Sequence, residues 1–200
     1  MRTLRAFAVG ALALVALGGL TGAAKMTGTH PAPRYDDSGR LIFPSGYRQW
    51  VFLSSGLDMS YSAKSSTSAP HMFNNVFVQR AAYQAFLRTG TWPDKTVLVL
   101  ENRRGATNRS ILKHGQIQTA DLMGVEAHVK DAGRGGWAFY AFGDAHKPAA
   151  AISQARPCYA CHTAHGAVDT TFVQFYPTLL PWARKFRTLA PAYLAKAARD

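Results

Sequence analysis

Polar and apolar residues alternate most cleanly in "LMGVEAHVK", where Met123, Val125, Ala127 and Val129 share one face and Glu126, His128 and Lys130 the other. A period of two predicts a strand with one buried and one wet face. "MFNNVFV" alternates in the same way, with Phe73, Asn75 and Phe77 together, and "TVLVLEN" adds a β-branched strand. "WAFYAFG" is apolar on both faces, which suits a central strand, and "AGRGG" just before it reads as a turn. Helical spacing appears in "RAAYQAFLRTG", with Tyr83, Phe86 and Leu87 inward and Gly90 closing the helix. "PSGYRQWVFLSSG" offers Ser45 as a cap and puts Tyr47, Trp50, Val51 and Ser54 on one face, predicting a short helix that ends at Gly56. From Ala149 onward the residues favour helix, with breaks at Pro157, Gly166, Pro177, Pro181 and Pro191. Strands in the middle and helices at the ends predict an α+β fold around an antiparallel sheet.

One apolar run fits neither period. "AFAVGALALVALGGL" carries no charge, follows the basic head Arg2 and Arg5, and leads into the small residues "TGAA". That order reads as a secretory signal peptide over 1–24, cut near Ala23 or Ala24, with an uncleaved anchor as the alternative. Cleavage leaves roughly 176 residues, enough for one domain with its own core. We expect a loosely ordered segment over 25–44, punctuated by Pro and Gly, a domain over 45–186, and a basic tail over 187–200. Removing Arg2 and Arg5 takes the formal charge from +12 to +10. Export argues against nucleic acid as the partner of that charge and favours an acidic partner, an anionic surface or solubility.

The two cysteines of the chain, Cys158 and Cys161, both lie in "RPCYACHTAH", with His162 directly after. Cys-x-x-Cys-His is the spacing of c-type haem attachment. Two thiols at that distance reach the two vinyl groups of one porphyrin edge, and the adjoining imidazole ligates the iron. A thioredoxin-like motif would follow a βαβ strand, whereas both flanks here favour helix. A zinc site from Cys158, Cys161, His162 and His165 would crowd its ligands too tightly. A structural disulfide is the remaining alternative in an oxidising compartment. The motif therefore predicts one covalently bound haem c, with Cys158 and Cys161 as thioethers and His162 as the proximal iron ligand.

"RPCYACHTAHGAVDTTFVQFYPTLLPWA" resembles the end of the cytochrome P-460 family, and "NNVFVQRAAYQAF" and "WPDKTVLVLEN" resemble its strand–helix–strand segment. The resemblance runs from about Tyr47 to Trp182. It implies a mostly antiparallel sheet covering one haem face, flanking helices, and a C-terminal helical segment carrying the haem motif. The family includes hydroxylamine-oxidising cytochromes and the cytochromes c′-β, which bind nitric oxide and other small gases. The hydroxylamine-oxidising members carry a lysine cross-linked to the porphyrin, on the strand matching "TVLVLEN", and a distal carboxylate shortly before the haem motif. Here that strand offers Leu98 and Leu100, with Lys95 back in the turn, and "AAAISQARP" holds no acid.

An apolar distal pocket is the expectation, with Phe73 and Phe77 capping the iron and Leu98 and Leu100 beside them. Glu126 and His128 either give the pocket polarity or lie on a wet face, the commoner case for an alternating strand. Met59, Met72, Met123, His71, His128 and His165 stand as alternatives for a sixth ligand, while the resemblance favours an open position. The expected partners are a small gaseous or nitrogenous ligand and a periplasmic electron donor or acceptor of acidic character. A homodimer is left open. The function expected is an exported small-ligand-binding cytochrome, with an electron carrier or a hydroxylamine or nitric oxide oxidoreductase as alternatives.

Overall fold

The computed structural model describes residues 32–61, 70–143 and 147–199. The signal peptide expected over 1–24 lies outside the described residues. The fold is α+β, built on a five-stranded antiparallel sheet: β1 (Val51–Leu57), β2 (Met72–Val78), β3 (Val97–Ala106), β4 (Ile117–Asp131) and β5 (Gly136–Phe142). The strands lie side by side in chain order, each pairing antiparallel with the next. Helix α1 (Arg80–Thr89) joins β2 to β3, and α2 (Pro157–His165), α3 (Leu180–Phe186) and α4 (Pro191–Ala197) come after the sheet.

Both faces of the sheet are covered. On one, Val97, Val99, Val125, Ala127 and Val129 pack with Leu41, Tyr47, Tyr140 and Phe142. On the other, Val78 and Leu98 pack with Ala82, Phe86 and Trp92 and with Val168, Val173, Leu179 and Ala183 from the C-terminal segment. The second face carries the site.

Several elements match their patterns. Helix α1 ends where Gly90 turns left-handed, at φ 71°. A side chain on Gly90 would lie 2.8 Å from Phe186 Cβ and 2.8 Å from Thr188 Oγ1, so glycine also lets α3 approach α1. Pro157, Pro181 and Pro191 stand in the first turns of α2, α3 and α4. They open helices rather than break them, because the missing N–H is one that the first turn leaves unpaired anyway.

Other elements depart. The helix expected from Ser45 to Gly56 is a 3-10 turn over Tyr47–Gln49 and then β1. Over so short a run both periods fit, and pairing with β2 satisfies the backbone of Val51–Leu57 in the extended form. Strand β5 is an edge strand, not a central one. Its two apolar faces arise because each face of the sheet is packed even at the edge, and the edge itself is partly covered. Tyr140 bridges Ala151, and Ile152 N–H donates to Phe139 O at 2.8 Å. Of the N-terminal segment expected to be loosely ordered, residues 32–44 are pinned to the domain: Leu41 bridges Tyr35 and Ala149 and is buried. Residues 187–200, expected as a basic tail, contain α4.

Candidate functional site

Helix α2 carries the haem motif. Its nine residues place Cys158 and Cys161 one turn apart on a common face, and both are free thiols, half-buried. No group of three or more His, Cys, Asp or Glu able to hold a metal ion occurs among the described residues.

His162 is fixed by the turn of chain immediately C-terminal to the helix. Gly166 ends α2, and Val168 bridges Thr171 to form a tight return. That return brings the Thr170 carbonyl to 2.7 Å from His162 Nδ1. A carbonyl only accepts, so Nδ1 carries the proton and Nε2 is left with its lone pair. Thr171 locks the return: its hydroxyl donates to Val168 O at 2.7 Å and accepts from the indole of buried Trp92 at 2.8 Å. The imidazole packs among Phe172, Phe139 and His128, at ring distances of 4.2, 4.6 and 5.2 Å. Burial lowers its pKa against the opposing pull of the Thr170 carbonyl, which keeps the ring neutral, the form that ligates a metal.

Cys158, Cys161 and His162 line one wall of a cavity of about 420 Å³. The sheet adds Val76, Leu98, Leu100, Glu126 and His128 to the lining, and Met59, Tyr61, Phe172, Phe175 and Tyr176 complete it. The lining is mostly apolar with a few convergent polar groups, as cofactor sites are. Two free thiols, a neutral imidazole with an open Nε2 and a largely apolar cavity fit a haem held through its edge and its iron.

The cavity sorts the expected residues. Leu98 and Leu100 line it; Phe73 and Phe77 do not. The alternation of β2 turns Asn74 and Val76 toward the cavity and Phe77 to the other face, where its ring meets Tyr47 at 5.5 Å and Phe52 at 5.7 Å. Of the two residues expected on a wet face, Glu126 is exposed and His128 is buried, and both line the cavity, so the pocket is not without an acid. Glu126 has its pKa raised by burial, and His128, held far down by burial and then by His162, stays neutral. Lys95 ion-pairs with Asp131 away from the cavity, and no lysine lines the cavity among the described residues.

Of the sixth-ligand alternatives, only Met59 and His128 line the cavity. His128 stacks on Phe139 at 4.0 Å and stands beside His162, on the same wall. The Met59 sulfur lies over Gly56, where any side chain would collide with it. His71 is engaged with Asp58 at 2.6 Å. No pattern in the sequence points to Tyr61 or Asn74; Phe175 and Tyr176 were within reach, since they form the "FYP" stretch.

No curated protein matches the chain. The model of the family described as Cytochrome P460 matches residues 44–173, which span the sheet, α1, α2 and the return that holds His162. The chain belongs to the cytochrome P460 family, and haem is the cofactor this family implies for its site.

Proposed function

We propose that the protein is a periplasmic monohaem c-type cytochrome that binds a small ligand, such as nitric oxide, at an open face of the haem iron. Cys158 and Cys161 hold the porphyrin as thioethers, and His162 offers Nε2 to the iron. The observation that carries this is the ring of His162, whose Nδ1 is tied to Thr170 O at 2.7 Å in the same cavity as two free thiols. Bound there, haem supplies one-electron chemistry and a coordination position for a small molecule. Val76, Leu98 and Leu100 keep bulk water from that position and admit a small neutral ligand. Arg2, Arg5 and the apolar run after them support export, and the formal charge of +10 after cleavage favours an acidic redox partner.

A second function has one specific observation behind it. Oxidising hydroxylamine at iron releases protons, and Glu126 gives the cavity a carboxylate able to collect them. The test is an optical titration of the ferrous protein with nitric oxide, beside acceptor reduction by the ferric protein with hydroxylamine. We expect a spectral change with nitric oxide and slow turnover of hydroxylamine. Brisk turnover would make the protein an oxidoreductase, and a low-spin spectrum indifferent to nitric oxide would make it an electron carrier with Met59 on the iron.

A further inference from the structure

Glu126 belongs to two cavities. It lines the haem cavity beside Leu100, its register partner, and it also lines a second, more open groove with Ala141, Ile152, Ser153 and Arg156. Pro157 and Cys158, at the start of α2, are the other residues common to both. The carboxyl is thus the one acidic group among the described residues lining either cavity. Solvent reaches it from the groove, while its other side looks into a mostly apolar space.

The groups around it leave its charge uncompensated. Leu100 on β3 and Ala141 on β5 are apolar. His128, two residues along its own strand, is held neutral by burial. Arg156, at the start of α2, is exposed and makes no ion pair with it. The titratable groups across the cavity are Cys158, Cys161, His162, Tyr61 and Tyr176, and none of them is a cation that balances a carboxylate there. Burial accordingly raises the Glu126 pKa, so its proton affinity responds to charge entering the cavity.

Resting on the haem-binding function proposed above, we infer that Glu126 is a redox-linked proton site. Its carboxylate takes up one proton from water by way of the groove when the haem iron takes up one electron from a one-electron donor, and releases it on reoxidation. The ferric-to-ferrous change removes one positive charge from the cavity, and the proton restores it on the carboxyl, so the charge of the cavity is conserved. Glu126 is exposed on the groove side, where the proton enters, while the charge it answers to lies in the mostly apolar cavity.

The experiment is spectroelectrochemistry of the full holoprotein from about pH 4, near the ordinary glutamate pKa, to about pH 8. The wild-type midpoint potential should fall with pH, at most by about 59 mV per unit, the one-electron equivalent of a tenfold change in proton concentration. Glu126→Gln should be flat over the window where the wild type slopes, and Glu126→Asp should restore a slope. Equal slopes in wild type and Glu126→Gln, or no slope in either, would overturn the assignment. Loss of haem from Glu126→Gln would overturn it too, by making the residue structural. A wild-type protein without covalent haem would instead remove the proposed function, which the optical spectrum shows before any potential is read. The route has its own arm: Ile152→Trp narrows the groove and should slow proton uptake after rapid reduction, monitored with a pH dye, while leaving the equilibrium slope intact. An unchanged rate would exclude the groove as the path.

Discussion

At the scale of single residues, the site depends on which nitrogen of which histidine is free. His162 and His165 lie three residues apart, yet only His162 lines the cavity, while His165 contributes its carbonyl to Gln174 at 2.8 Å. His162→Ala should therefore destroy the native haem spectrum, and His165→Ala should leave it nearly unchanged. Equal damage from both substitutions, read in the optical spectrum, would mean the wrong imidazole has been assigned. A second residue-scale prediction concerns Glu101, buried on the face away from the cavity. Burial pushes its pKa up, but hydrogen bonds from Arg103, Tyr47 and Arg48 outweigh that and hold it at about 2. Its folded pKa is thus below the unfolded value of about 4.3, so the ionised carboxylate stabilises the fold above that value. The contribution, on the order of 3 kcal/mol at neutral pH, should disappear as pH falls from about 4 to about 2. Urea midpoints measured across that range should drop steeply in the wild type, and Glu101→Gln should flatten that part of the curve.

At the scale of elements, the return after α2 is the part that a small change would break. Gly166 has ordinary backbone angles, φ −65° and ψ 129°, so its glycine answers to space and not to conformation. A Cβ there would lie 2.7 Å from His162 O, 2.9 Å from Thr170 C and 2.9 Å from Thr171 N, all backbone atoms that cannot swing aside. Gly166→Ala should push the return off the helix, lengthen the His162–Thr170 hydrogen bond and destabilise the domain by about 1–3 kcal/mol. The check is a lowered melting temperature together with an altered haem spectrum; a variant as stable as wild type with the same spectrum would show that the return is not what holds the ring. The elements also mark how far sequence reasoning reaches. Alternation groups Leu98 with Leu100, because a period of two is a property of the strand itself. It could not say which group meets the cavity, since both faces of the sheet are covered. Alternation alone therefore aims apolar Phe73 and Phe77 at a cavity they do not line, and it does not show that Glu126, exposed as expected, also lines that cavity. The Cys-x-x-Cys-His motif was legible because it is local to five residues. Trp92 and Asn74 were not, because their roles depend on pairings across long stretches of chain, and Thr170 was not, because its carbonyl meets His162 only through the return after α2.

At the scale of the whole molecule, the family match stops at residue 173, yet the chain beyond it helps to build the site. Leu189 and Tyr193 pack half-buried against the core that holds Val168 and Val173. Ala190 N–H donates to Ala167 O at 2.8 Å, directly after Gly166. Thr188 ties the same segment to α1, its hydroxyl donating to Gly90 O at 2.7 Å. The C-terminal residues thus clamp the return that orients His162, and α4 acts as the far jaw. A chain ending at Thr188 keeps the link to α1 but loses Leu189, Tyr193 and the donor to Ala167. Removing two half-buried side chains and one backbone hydrogen bond should cost about 2–4 kcal/mol. For a domain of this size that lowers the melting temperature by on the order of 10 °C. On the proposed attachment through Cys158 and Cys161, which does not involve α4, haem should stay attached through acid extraction in the shortened chain, while replacing both cysteines with Ala should release it. Loss of haem on truncation would show that the clamp is needed for attachment itself; an unchanged melting temperature would show that α4 contributes nothing to the fold.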